Sequence, residues 1–178
     1  LYDLIPLLNA SHYLKNPTAK SWYLDKLNHL RRADLWLAIS ESSRQEGIKS
    51  LDLPEERSIN ISTDADESFR ATPISPERER EIRSRTGLQK PFVMYTGGID
   101  HRKNIEGLIR AYAKLPVAIR QNHQLAIVCS MQNETSVTLE ALAAEHGLED
   151  GEVILTGVVP DEDLVALYNL CSLFVFPS

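Results

Sequence analysis

Tyr95-Thr96-Gly97-Gly98-Ile99-Asp100-His101-Arg102-Lys103-Asn104 is the stretch that decides how this chain reads. An apolar run from Phe92 to Thr96 ends on two glycines, and a helical pattern opens at Asn104. Paired glycines permit positive φ and let an anion come close to the backbone. The free N–H groups and the dipole of a helix start favour negative charge, and Arg102 and Lys103 set two cations beside it. The spacing is neither G-x-G-x-x-G nor G-x-x-x-x-G-K-[ST], so the dinucleotide and P-loop fingerprints are both missing. Taken alone, the turn is equally a phosphate cradle and a glycine turn with two solvated basic residues.

Downstream the chain alternates regularly. Strand Phe92–Thr96 precedes helix Asn104–Leu115, strand Leu125–Cys129 precedes helix Asn133–His146, and strand Val153–Thr156 precedes helix Asp161–Leu170 and strand Leu173–Phe176. Strands separated by helices predict an α/β fold with a parallel sheet, helices on both faces and right-handed crossovers. In such sheets ligands bind at the carboxyl ends of the strands, where Gly97 and Gly98 stand.

Upstream, Asn16 caps a helix reaching Arg32 with Pro17 at its first position, and Leu35–Ile39 reads as a buried strand. Ser40 caps a helix to Leu51, and Ser58–Ile61 is a second strand. Ser62 to Pro76 loses periodicity and reads as a connection between domains. The following helix has Ser75 as cap, Pro76 in its first turn and Gly87 as its stop, and its alternating Arg and Glu read as a solvated face. The expected organisation is a first α/β portion over 1–69, a linker and charged helix over 70–90, and a second α/β portion over 91–178.

The bulk numbers exclude several classes. At 178 residues and a formal net charge of −6, the chain lacks the cationic surplus of a nucleic-acid binder. No apolar run is long enough to span a membrane and no signal peptide is legible, so a cytoplasmic location is expected. Cys129 and Cys171 sit in apolar surroundings as buried free thiols, and no Cys/His spacing predicts a metal site. His12, His29 and His123 fall in no motif, His146 before Gly147 suits the dipole of a helix end, His101 in the turn reads as a solvated loop residue ahead of a ligand contact, and no catalytic residue is assigned. The chain starts without Met and stops directly after an apolar strand, so both ends read as cut.

The Gly97–Asn104 turn, followed by Leu108-Ile109-Arg110-Ala111-Tyr112, resembles the opening of the donor domain in retaining glycosyltransferases of the GT-B fold, family 4. Other segments agree in family order. Tyr2-Asp3-Leu4-Ile5-Pro6 is similar to the family's "HDxxP" segment, Leu37-Ala38-Ile39-Ser40-Glu41 to its strand-to-helix corner, and Thr63-Asp64-Ala65-Asp66 with Phe69 to its crossing between domains. Gly157-Val158-Val159 with Leu164, Leu167 and Tyr168 is similar to its "GxV" stretch, and Leu173-Phe174-Val175-Phe176-Pro177-Ser178 to its "xxvxPS" strand.

The resemblance implies a GT-B architecture and transfer of a hexose, mannose being one candidate, in polysaccharide biosynthesis. It implies that Gly97, Gly98, Arg102 and Lys103 hold the donor diphosphate, with Lys103 stabilising the leaving nucleotide in place of a metal, so no cofactor is expected. Many members carry Arg where this chain has Gly98, which leaves Arg102 as a substitute second cation. Val159 falls where the family reads the nucleobase, a position that serves equally as an edge of the core, and Tyr2 and Asp3 fall on the acceptor side, with Tyr2 replacing the family His. The implied partners are a nucleotide-sugar such as GDP-mannose or a UDP-sugar and a saccharide or lipid-linked acceptor, the latter compatible with peripheral contact at the inner membrane face. The glutamates that follow the "xxvxPS" strand in the family are not in this chain, so these residues are expected to be inactive alone. A nucleotide-sugar epimerase of the same fold and a non-catalytic phosphate-binding module are the alternatives.

Overall fold

A computed structural model describes residues 1–178. The chain divides into two compact units, Leu1–Asp66 and Glu67–Ser178.

The first unit comprises α1 (Ile5–Leu8), α2 (Ala10–Tyr13), α3 (Pro17–Leu30), β1 (Trp36–Ala38), α4 (Glu41–Leu51) and β2 (Ser58–Asn60). Asn16 accepts from the Thr18 and Ala19 amides at the start of α3, and Ser40 from the Ser43 amide at the start of α4, as their residue types demand. Strands β1 and β2 pair in parallel with Trp36 opposite Ser58. Leu4, Leu27, Trp36, Leu51 and Leu53 form the core. The strand expected to be buried over 35–39 is shorter and one-sided: Trp36 and Ala38 face inward, while Leu37 is 46% exposed. Successive side chains of a strand point to opposite faces, so Trp36 packs with Leu4, Leu27 and Leu51 while Leu37 stands on the other side. The short turns α1 and α2 were not expected; at four residues each they are too brief to show a helical period.

The second unit holds α5 (Pro76–Thr86), β3 (Phe92–Thr96), α6 (Ile105–Ala113), α7 (Val117–Asn122), β4 (Gln124–Val128), α8 (Asn133–Glu145), β5 (Val153–Leu155), α9 (Asp161–Leu170) and β6 (Leu173–Phe174). All pairings are parallel, in the order β5-β4-β3-β6. Every residue of β4 is buried, which explains the apolar run from Leu125 to Val128. On β3 the residues alternate: Phe92 and Met94 pack with Ile82, Ala166 and Leu167 on one face, and Tyr95 packs with Ile109, Leu125 and Leu139 on the other. Because β4 and β6 flank β3 on opposite sides, the winding reverses at β3 and leaves a crevice beyond its carboxyl end.

The helix expected over 104–115 is α6, preceded by a 3-10 turn (His101–Lys103) and followed after Pro116 by the separate α7, neither of which was expected. One expectation needs correction. The charged helix α5 is more than a solvated face. Arg78 and Arg85 reach Asp163 of α9 at 2.6 and 3.1 Å, and the Asp163 side chain is only 2% exposed. A buried carboxylate needs compensating charge, and α5 supplies it.

Cys129 is buried and Cys171 half-buried, both as free thiols, and burial pushes both upward in pKa. No helix is long and apolar enough to cross a membrane.

Candidate donor site at the end of the first strand of the second unit

The turn leaving β3 is set by a steric demand at Gly97 and a hydrogen bond from Tyr95. Gly97 adopts φ 146°, and a Cβ there would stand 2.9 Å from the Tyr95 hydroxyl. That hydroxyl donates to the Gly98 carbonyl at 2.6 Å, so the buried Tyr95 clamps the turn from below. Its burial raises its pKa and keeps it a neutral donor. Thr96 donates to the Val128 carbonyl at 2.7 Å, fixing the strand end sideways.

Asp100 then opens the 3-10 turn. Its Oδ1 accepts from the Arg102 amide at 3.0 Å and from Arg102 Nε at 2.8 Å. Asn104 closes the turn in the left-handed region at φ 53°, and its Nδ2 donates to the Pro177 carbonyl at 3.4 Å. Gly107 makes room for this: a Cβ there would lie 2.3 Å from Asn104 Oδ1. Asn104 therefore links the loops after β3 and β6, and it does not cap α6 with its side chain.

The Lys103 ammonium lies over the Phe176 ring, 4.4 Å from its centre. Phe176 stacks on Tyr95 with centroids 6.3 Å apart and planes 22° from parallel. Among the sequence candidates, Gly97, Gly98 and Lys103 thus share the end of the sheet where strand order reverses. Arg102 is engaged differently: its guanidinium is held by the Asp100 carboxylate, so its charge is partly spent within the turn. Val159 does share a cleft with Gly97, of about 190 Å³, lined also by Thr96, Ser130, Gly157 and Leu164. It also packs against the core face that includes Phe92 and Leu167.

Tyr2 and Asp3 belong to the first unit. Tyr2 is 76% exposed, and its carbonyl accepts from the Ser43 hydroxyl. Asp3 Oδ1 accepts from the Ile5 amide at 3.0 Å, satisfying one open N–H at the start of α1. His101 is largely solvated, with 57% of its side chain exposed.

Residues that sequence reasoning did not single out complete the site: Tyr95, Phe176 and the Asn104–Pro177 bridge. The letters of Phe176 read as one more strand residue, whereas β6 ends at Phe174 and the Phe176 ring meets Lys103 and Tyr95. A second depression, of about 470 Å³, lies on the α6 and α8 side and is lined by Asp100, His101, Glu106, Arg110, Glu134 and Thr138 among others. Among the described residues, no group of His, Cys, Asp and Glu could hold a metal ion.

Similarity to known proteins bears on the family and the fold. The family model described as glycosyl transferases group 1 matches residues 77–178. The serotype-specific mannosyltransferase WbdA of Escherichia coli is 41% identical over 177 residues, which cover 99% of this chain and 22% of that protein. The O-antigen chain mannosyltransferase B of Escherichia coli is 31% identical over 166 residues, covering 92% of this chain and 42% of its own length. The chain thus spans about a fifth of the first relative and less than half of the second. Among solved structures, Anabaena Alr3699/HepE in complex with UDP and glucose superposes with a TM-score of 0.68 at 22% identity, over 84% of this chain and 39% of that one. The fold is that of the GT-B glycosyltransferases.

Proposed function

The chain belongs to the group 1 glycosyltransferases, and on that footing we propose that the intact protein transfers mannose from a nucleoside-diphosphate donor to a saccharide or lipid-linked acceptor, with retention of configuration. The carrying observation is the Lys103 ammonium at the ends of β3 and β6, beside two glycines that leave the backbone open to an anion. The names of the mannosyltransferase relatives favour mannose and surface-polysaccharide assembly, with GDP-mannose as the donor to try first. The UDP and glucose in the HepE structure favour a nucleoside diphosphate as the leaving group.

In this reading, negative charge gathers on the departing diphosphate as the bond to the sugar breaks. A fixed ammonium beside it stabilises that state more than the ground state, and Lys103 takes this role without a metal. Gly97 and Gly98 let the phosphates approach, and the backbone near Val159 lies in the same cleft for the nucleobase. Arg102 contributes a second cation only by leaving Asp100. Tyr2 and Asp3 remain acceptor-side candidates, and the enzyme works on the cytoplasmic side, with peripheral membrane contact where the acceptor is lipid-linked.

The test is incubation of the intact protein with labelled GDP-mannose or UDP-glucose and saccharide acceptors, with the anomeric centre of the product read by NMR. An α-linked product from GDP-mannose is expected. An epimerised nucleotide-sugar with no glycoside, or nucleotide binding with no turnover, would overturn the transferase reading.

A further inference from the structure

We propose that Phe176 is a positioning residue for Lys103, its ring serving as the resting platform of the ammonium; this rests on the donor-site reading above. The backbone around Lys103 is already set, since its amide donates to the Asp100 carbonyl at 2.8 Å and Asn104 turns left-handed next to it. The side chain is not set by that. A lysine stem has four carbons and scatters its ammonium unless something collects it. The Phe176 ring collects it at 4.4 Å, within the range of about 6 Å over which an aromatic face attracts a cation.

The ring is itself held. Tyr95 stacks on it at 6.3 Å and 22°, and Phe174 stacks at 6.3 Å and 26°. Tyr95 is buried and clamps Gly98, so one core side chain fixes both the glycine turn and the platform for the lysine. Ring and turn are thereby placed as a unit.

The nature of the partner matters as much as its position. Arg102, the neighbouring cation, rests on a carboxylate at 2.8 Å, which spends part of its charge within the turn. Lys103 rests on a ring face, which orients the charge and leaves it uncompensated. A diphosphate can then draw the ammonium away without competing against a fixed anion.

The experiment is calorimetric titration of the intact protein with GDP and with UDP, comparing Phe176→Leu, Phe176→Trp, Lys103→Ala and the Phe176→Leu/Lys103→Ala double variant. Phe176→Leu should weaken binding about threefold to tenfold, while Phe176→Trp, which keeps an aromatic face, should retain affinity. In the Lys103→Ala background, Phe176→Leu should have no further effect, because the ring acts through the lysine. Unchanged affinity in Phe176→Leu, or an equal loss with and without Lys103, overturns the platform while leaving the donor site standing. Unchanged affinity in Lys103→Ala, or no nucleotide binding by the unsubstituted protein, overturns the donor-site reading and the platform with it.

Discussion

The Tyr95 hydroxyl donates to the Gly98 carbonyl at 2.6 Å, so a side chain rooted in the sheet core holds the turn that leaves the same strand. Tyr95→Phe keeps the ring and removes only the donor. The expected cost is about 1 kcal/mol, the usual net worth of a hydrogen bond, read by urea denaturation. Amide exchange at Gly98 and Ile99 should quicken; exchange as slow as in the unsubstituted protein would show that the turn holds itself.

Gly97 and Gly98 are adjacent but not equivalent. Gly97 stands at φ 146° with the Tyr95 hydroxyl 2.9 Å from any added Cβ, while a Cβ on Gly98 meets nothing within 4 Å. Gly97→Ala should therefore lower stability by about 1–3 kcal/mol and Gly98→Ala by less than about 0.5 kcal/mol. Thermal unfolding of the two variants separates them, and equal shifts would contradict the assigned conformations.

Asp163 ties α9 to α5 through Arg78 and Arg85. Both guanidinium groups keep some contact with water, so Asp163→Asn should cost about 1–3 kcal/mol, less than the loss of a fully enclosed pair. Denaturant unfolding of the variant measures this, and a change within about 0.5 kcal/mol would mark the pair as a surface ornament.

Tyr112 gives a pH signature. Burial, with a smaller contribution from the Glu152 carboxylate, pushes its phenol up to about 12, and its hydroxyl donates to the His123 carbonyl. The neutral form is favoured in the folded state, so this stabilisation is fully present below about pH 10 and is lost as pH rises through 12. Stability should fall across that interval by on the order of 2 kcal/mol from this group, and less steeply in Tyr112→Phe. Parallel pH profiles for the two proteins would show that Tyr112 titrates normally.

Much of the fold was legible because its determinants are local. Strands β3 and β4 are enclosed on both faces and so appear as apolar runs, and caps such as Asn16, Ser40 and Ser75 act within three residues of themselves. The clustering of Gly97, Gly98 and Lys103 followed from one strand-to-helix turn. What escaped depends on distance or on edges. Asp163 sits in an acidic first turn that suits a helix dipole, and nothing near it announces Arg78, 85 residues away. The short α7 after Pro116 exposes Val117 and Ile119 and so carries no amphipathic period. Arg102 looked like a free cation because the sequence does not say that Asp100 folds back onto it. Phe176 looked like one more strand residue because an apolar run does not say that β6 ends at Phe174.

The central claim is that Lys103 meets the donor diphosphate, and titration of the intact protein with GDP and UDP against its Lys103→Ala variant tests it most directly. The site predicts an affinity lower by about tenfold to a hundredfold, as expected for loss of a charge-assisted hydrogen bond, with the melting temperature unchanged. Equal affinity in a folded Lys103→Ala variant would contradict it.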